Sequence, residues 1–111
     1  MNFHDNPLSE LLRDLDKQND TLGIARSEYL ALEASRKHEE SALIQGAFGK
    51  SHAEKVTNAQ ASPEWPVMQL KLARAEAVYE FQKLKFSVME KNWQSAYLCL
   101  KLDGALIKKQ D

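Results

Sequence analysis

The sequence predicts an all-α protein: two long antiparallel helices forming a coiled-coil-like helical hairpin, joined by a short helical connector and associating into a multi-helix bundle. Only 4 Gly and 3 Pro interrupt the 111 residues. The rest is rich in Leu, Ala, Glu, Lys and Gln, which are good helix formers. Apolar residues also recur at heptad spacing on both sides of a polar central segment. The length suits one domain, residues 1–111.

The first helix is predicted over residues 7–46. Asn6 is a suitable N-cap, and Pro7 fits the first turn, where a missing N–H costs nothing. Gly46 and Gly49 are suitable residues to end the helix. The heptad core positions are Leu8, Leu11, Leu15, Gln18, Leu22, Ala25, Tyr29, Leu32, Arg36, Glu39, Leu43 and Gly46. The opposite face is polar or small and should meet water.

Residues 47–62 form the polar connector, with one or two helical turns predicted after a Ser51 cap. Ser62 and Pro63 then cap and start the second helix, which runs to about residue 108. At ~1.5 Å per residue, each long helix spans roughly 60 Å.

The second helix carries two apolar series that lie on opposite sides of it. The first repeats every seven residues: Trp65, Leu72, Tyr79, Phe86, Trp93, Leu100 and Ile107. The second follows 3-4 heptad spacing: Val67, Leu70, Ala77, Phe81, Leu84, Val88, Leu98, Leu102 and Ala105. One helix can cover only one of these series.

We expect the first helix to cover the 3-4 series, with Leu15 opposite Leu98, Tyr29 opposite Leu84, Gln18 beside Ser95 and Glu39 beside Arg74. The seven-residue series would then remain uncovered and serve for self-association into dimers or larger oligomers. The predicted oligomer interface comprises Leu72, Tyr79, Phe86, Met89, Trp93 and Leu100. Glutamate at Phe86 and Trp93 is expected to lower the oligomeric state and leave the protein helical.

Charge and cysteine content exclude several classes of protein. The 15 basic and 16 acidic residues leave a net charge of −1, which gives no overall attraction to nucleic acid or membrane. Cys99 is alone, so no internal disulfide forms, and this suits a reducing cytosol. No signal peptide and no apolar run of ~20 residues are visible. These observations predict a cytoplasmic protein with no membrane partner.

Candidate catalytic and ligand-binding residues do not form a recognisable site. Gly49-Lys50-Ser51 resembles the end of a phosphate-binding loop, but Ile44 stands where that motif needs glycine, and a helix precedes it. The three histidines are scattered, without a second ligand at helical spacing. Cys99 has no nearby base in the sequence. We therefore predict no enzyme, no metal, no cofactor and no small-molecule substrate.

Lysines alternate with aromatic residues in the second helix, a pattern that can hold single-stranded nucleic acid. The alternative is that the aromatics, which mostly share one heptad position, form a packing seam and the lysines are ordinary flanking charges. The connector offers a second possible basic contact site. The candidate nucleic-acid-binding residues are Lys50, Lys55, Lys83, Lys85 and Lys91.

Residues 49–55 (GKSHAEK) and 59–65 (AQASPEW) resemble the connector of short phage-encoded helical-hairpin proteins from recombination gene modules. Residues 83–86 and 92–96 are similar to the second helix of those proteins, which are distantly like the recombination mediator of T-even phages. After Phe86 the chain departs from them, because many carry an aromatic-Arg pair where this sequence has Val88-Met89-Glu90. The resemblance covers about residues 20–105.

The resemblance implies a non-enzymatic accessory protein of phage or prophage DNA recombination. It would act in the cytoplasm of the bacterial host, as an oligomer on or near single-stranded DNA, together with recombination proteins. The alternative function is a protein–protein adaptor or inhibitor that docks on a host nuclease or defence protein, because helical hairpins suit helix-in-groove recognition.

Overall fold

The computed structural model describes residues 7–110 and, within them, the side chains of residues 8–104. Three helices follow one another: α1 (Pro7–Gly46), α2 (His52–Gln60) and α3 (Glu64–Gln110). No strand occurs in this described range. The predicted all-α helical hairpin with a short helical connector is therefore confirmed. The predicted cap at Asn6 lies outside the described residues.

The chain divides into two compact units. Among the described residues, the first unit contains residues 7–23 of α1 and 81–110 of α3. The second unit contains residues 24–80, which include the rest of both long helices and all of α2.

In the first unit, α1 and α3 meet through a polar pair within an otherwise apolar contact. The Gln18 side chain is buried, and its Nε2 donates to Oε1 of Gln82 at 2.6 Å and to the Gln82 carbonyl at 3.3 Å. Phe86, Met89 and Trp93 of α3 are partly buried in the same unit. A satisfied amide pair in an apolar contact favours one register, because a shifted register would leave the amide without a partner.

In the second unit, aromatic and small residues form the contact between the two long helices. The Tyr29 and Tyr79 ring centroids lie 5.6 Å apart, with the rings tilted by 42°. The buried side chains of this unit are Ala25, Ala59 and Met68. Ala59 brings α2 into this core, so the connector packs on the hairpin. Burial of these apolar groups stabilises the unit by roughly 25 cal/mol per Å² removed from water.

The predicted register is wrong. Gln18 pairs with Gln82 and not with Ser95, and Tyr29 contacts Tyr79 and not Leu84. In place of the predicted Glu39–Arg74 pair, Gln69 Nε2 donates to Glu40 Oε1 at 3.3 Å. The observed partners show that α1 covers the other side of α3, and they also lie earlier along α3 than the predicted ones.

From Trp65 to Trp93 the seven-residue series lies on the packed side of α3, so its predicted exposure is wrong there. Leu100 is exposed, and the side chain of Ile107 lies outside the described residues. Together with companions at 3-4 spacing the packed part of the series forms an inner seam, every member of which is buried or partly buried. The inner seam consists of Trp65, Met68, Leu72, Ala75, Tyr79, Gln82, Phe86, Met89, Trp93 and Ala96. The series carries the bulkiest aromatic side chains of α3, and these gain most from burial.

The predicted face of α1 is confirmed over most of its length. From Leu8 to Arg36 the heptad positions are partly or fully buried. Near the end of α1, Glu39 and Gly46 are exposed, whereas Glu40 and Ile44 are partly buried. An α-helix has 3.6 residues per turn, so a strict heptad pattern drifts by ~20° per heptad around it. The buried stripe accordingly shifts by one position at this end.

The connector is held by side-chain caps. The Ser51 Oγ accepts a hydrogen bond from the Glu54 N–H at 3.2 Å, which confirms the predicted N-cap of α2. The Glu54 carboxylate in turn accepts from the Lys50 N–H at 2.8 Å. The first bond satisfies a backbone donor that the first turn of a helix leaves free, and the second ties the residue before the cap to α2.

Candidate interaction surfaces

A second apolar seam runs along α3 on the side away from the inner seam. In the first unit it consists of Phe81, Leu84, Val88, Leu98 and Leu102, interrupted by Lys91 and Ser95. We call this set the outer seam. Each of its five apolar side chains has at least half of its surface exposed. These five residues are the part of the predicted 3-4 series that lies in the first unit and has described side chains.

The spacing of the outer seam indicates what could cover it. Its positions repeat at intervals of three and four residues, as the core positions of a coiled coil do. Such a stripe stays on one side of a helix and fits the side chains of another helix lying along it. Contiguous exposed apolar surface on a soluble domain commonly marks a contact with another molecule.

The residues predicted as the oligomer interface are placed mainly on the inner seam. Leu72 and Tyr79 are partly buried in the second unit, and Phe86, Met89 and Trp93 are partly buried in the first. Leu100 is 48% exposed. The Trp93 ring also stacks on Tyr97, with centroids 5.5 Å apart and an interplanar angle of 13°. Packing within the hairpin therefore already occupies most of this predicted surface.

The residues predicted to bind nucleic acid fall into two groups. Lys83, Lys85 and Lys91 are exposed on α3 in the first unit. Lys50 and Lys55 lie at the connector in the second unit, where Lys50 is exposed and Lys55 is partly buried.

The aromatic residues that alternate with the α3 lysines are mainly turned inward. Tyr79, Phe86 and Trp93 are partly buried, and Tyr97 is the exposed member. The burial of the rings supports the packing alternative over base stacking.

A polar cluster lies between the long helices of the second unit. Glu40 Oε1 accepts from Gln69 and lies 3.7 Å from the Arg36 Nε. Tyr29 of α1 has a raised pKa, chiefly because its hydroxyl is hydrogen-bonded to Glu33. Burial of Tyr29 and the negative charges of Glu33 and Glu76 raise this pKa further. The cluster links the helices by polar contacts at their apolar seam.

The connector end of the second unit presents two features that the sequence analysis did not identify. Phe48, between α1 and α2, is 91% exposed. An apolar groove of about 630 Å³ lies between α1 and α3, lined by Ala42, Leu43, Pro63, Val67 and Met68, with Glu39, Glu64 and Lys71 also at its walls. The groove combines residues that lie far apart in the sequence. Phe48 could have been noticed as a large apolar residue between two glycines.

Other candidate chemistry gives no assembled site in the described part of the chain. No group of three or more His, Cys, Asp or Glu residues there is arranged to hold a metal ion. Cys99 is a free, exposed thiol. None of the helices within the same residues combines the length and apolar character needed to span a membrane.

Comparison of the chain with protein-family models, with characterised proteins and with solved structures finds no match in any of the three. The resemblance to phage recombination proteins therefore stays a prediction from the connector sequence.

Proposed function

We propose that the protein is a non-enzymatic accessory factor that works as an oligomer, with the outer seam of α3 as the surface that joins its subunits. The observation that carries the proposal is the outer seam itself. Its apolar side chains are exposed and follow coiled-coil spacing. Covering them with a second helix would remove apolar surface from water, which is the main favourable term in association.

The order of residues in the outer seam supports a second copy as the covering helix. If two α3 helices pack antiparallel about a two-fold axis level with residue 93, Val88 meets Leu98 of the partner copy, and Leu84 meets Leu102. The same arrangement places the two polar interruptions, Lys91 and Ser95, opposite each other. Apolar positions then meet apolar ones and polar positions meet polar ones, as a self-complementary two-fold contact requires.

The proposed setting is phage or prophage DNA recombination in a bacterial cell, near single-stranded DNA. The connector resemblance supports this setting. Exposed lysines on α3 could contact phosphates, and an oligomer would repeat those contacts along a strand. Because the neighbouring rings are mainly packed inside the hairpin, we propose that any DNA contact is electrostatic and independent of base stacking.

The self-association part is tested by the Leu84→Glu, Leu98→Glu double variant. The wild-type protein should form dimers or larger assemblies in light scattering, and the double variant should have a lower mass. Its circular dichroism should stay helical, because both side chains are exposed. In the proposed arrangement each glutamate would be buried against an apolar residue of the partner copy, Leu102 or Val88, which would oppose the contact.

Ile24→Glu is the matched control. Ile24 lies on α1 and is 63% exposed, close to the 65% of Leu84, but it is outside the outer seam. The mass of this variant should equal that of the wild type. A wild-type protein that is monomeric at all concentrations, or a double variant of unchanged mass, would contradict the proposal.

The DNA part is tested with the Lys83→Gln, Lys85→Gln variant in gel-shift titrations at several salt concentrations. Each phosphate contact contributes ~0.7 to the slope of log affinity against log salt for single strands, so losing two contacts should reduce the slope by ~1.4. Lys17→Gln with Lys37→Gln changes the charge equally on α1 and should leave the slope unchanged. Absence of any wild-type binding at ~50 mM salt would reject DNA contact.

The second candidate function is a protein–protein adaptor or inhibitor of a host nuclease or defence protein. Lys91 favours it, because this charge lies within the outer seam and the seam contains no acidic residue to pair with it. A foreign helix with a carboxylate at that level would complement Lys91 better than a second copy does. In that case the free protein would be monomeric, and the Leu84→Glu, Leu98→Glu variant would lose capture of the host protein.

A further inference from the structure

Phe48 is presented on a loop whose backbone is fixed by its neighbours. The Asn58 Nδ2 donates to the Phe48 carbonyl at 2.5 Å, and the next peptide groups are tied to α2 through the bond from Lys50 N–H to Glu54. Gly49 has φ of 156°, and its backbone lies so close to α2 that an added Cβ atom would be 2.8 Å from the backbone nitrogen of Lys55. The phenyl ring is therefore held outward, and it is the most exposed of the large apolar side chains in the described range.

The groove beside the loop has the size and chemistry to accept such a ring. Its volume of about 630 Å³ is open to solvent, and its lining is mainly apolar. Met68 forms a buried wall, whereas Val67 is exposed and available for contact. A second cavity, of about 580 Å³, is lined by Phe48 itself and shares Ala42, Leu43 and Glu64 with the groove. The ring and the groove thus occupy adjoining parts of one surface.

Charge distinguishes the two features. The loop and the start of α2 carry Lys50, Lys55 and Glu54, which leaves one net positive charge with His52 neutral. The Glu54 carboxylate is occupied by its bond from the Lys50 N–H. The walls of the groove carry Glu39 and Glu64, with Lys71 as a basic residue among them. The loop with its aromatic ring thus has a net positive charge and the apolar groove a net negative charge, so the two are complementary in charge.

We infer that Phe48 of one copy inserts into this groove of a second copy, with the reciprocal insertion completing a two-fold contact. A second copy is the proposed occupant because the same surface supplies both partners, the ring with its basic flank and the groove with its carboxylates. Because Phe48 and the groove lie side by side on each copy, one two-fold axis can place the ring of each copy in the groove of the other copy. In protein–protein contacts, a few residues carry most of the binding energy, and they are commonly aromatic side chains that fill an apolar pocket near the centre.

This contact shares no residue with the outer seam and does not depend on the proposed function. The two contacts together would have a consequence that neither has alone. A chain with two independent two-fold contacts can link dimers into closed rings or open filaments, whereas one contact stops at a dimer. Together with the proposed outer-seam contact, the inference therefore predicts assemblies larger than dimers when both surfaces are intact.

The test is sedimentation equilibrium of the full chain in the Leu84→Glu, Leu98→Glu background, where the outer seam contributes nothing. This protein should still dimerise, and adding Phe48→Ser should weaken its dimerisation at least tenfold. Ile24→Ser, at another exposed apolar residue, should have no effect. An unchanged dissociation constant after Phe48→Ser, or a strictly monomeric Leu84→Glu, Leu98→Glu protein, would overturn the inference and leave the outer seam untouched.

A charge-reversal pair tests the orientation of the contact. Glu39→Lys should weaken dimerisation, and combining it with Lys50→Glu should restore it, because the two sites exchange charges across the two-fold contact.

Oxidative cross-linking gives an independent measurement in a Cys99→Ser background. Copies with Phe48→Cys mixed with copies bearing Val67→Cys should form a disulfide-linked dimer, and mixing with Ile24→Cys copies should not. Equal cross-linking in both mixtures would contradict the insertion.

Discussion

Phe86→Ala combined with Trp93→Ala is expected to destabilise the hairpin of the first unit, with no direct effect on the contact between subunits. Both side chains lie on the inner seam and are partly buried. Truncating a fully buried Phe or Trp costs ~3–5 kcal/mol, so partial burial suggests about 2 kcal/mol for each residue. The free energy of unfolding, measured by urea denaturation followed by circular dichroism, should fall by about 4 kcal/mol in the double variant if the two effects add.

Phe81→Ala with Leu98→Ala is the comparison on the outer seam of the same unit. Both residues are more than half exposed, so each should change the stability of the isolated chain by only about 0.5 kcal/mol. The measurement is made at a protein concentration where the chain is monomeric, because loss of a subunit contact would otherwise add to the result. If the inner-seam variant kept its stability and lost only its assembly, the assignment of the two seams would be reversed.

Much of the fold could be predicted because its signals are local. The helices follow from residue propensities and from the scarcity of Gly and Pro, and the start of α2 follows from Ser51 as its capping residue. The hydroxyl of Ser62, the predicted cap of α3, donates to the Ala59 carbonyl at the end of α2, at 2.6 Å. The buried stripe of α1 is also readable, because only one side of that helix is apolar. In these elements, propensity, apolar pattern and capping all agree.

The choice between the two seams of α3 was wrong because both have the same 3-4 period. Periodicity identifies an apolar face and does not say which partner covers it. Charge would have discriminated between them. The inner seam from Trp65 to Ala96 contains no charged residue, whereas the opposite side includes Arg74 and Lys91. Covering that side would remove both charges from water, and Lys91 would have no acidic partner in the predicted register, which is unfavourable.

The two glutamines Gln18 and Gln82 also indicate which seam of α3 packs against α1. Each glutamine interrupts an otherwise apolar heptad seam, and two amides can satisfy each other. A search for matching polar positions across both possible pairings of the α1 face with a seam of α3 would have found this layer. The groove and the exposed ring of Phe48 are different in kind. They depend on how the loop between α1 and α2 closes, which local sequence patterns do not specify.

Gly49→Ala and Gly23→Ala should change stability in opposite directions, although the substitution is the same. At Gly49 the backbone has φ of 156°, and an added Cβ would lie 2.8 Å from the Lys55 nitrogen and 3.0 Å from the Glu54 Cβ. The loop would have to move, which should destabilise the second unit by more than about 1 kcal/mol. At Gly23, inside α1, an added Cβ meets nothing within 4 Å, so alanine should stabilise the helix by about 1 kcal/mol.

The two glycine variants also separate loop geometry from general stability, because Gly49 positions the neighbouring Phe48. Gly49→Ala should weaken dimerisation in the Leu84→Glu, Leu98→Glu background, even at temperatures where the protein is fully folded. Gly23→Ala should leave that dissociation constant unchanged while raising the denaturation midpoint. Equal effects of both variants on dimerisation would mean that stability alone governs the contact. A neutral Gly49→Ala would mean that the loop tolerates a side chain there and does not hold the ring in one place.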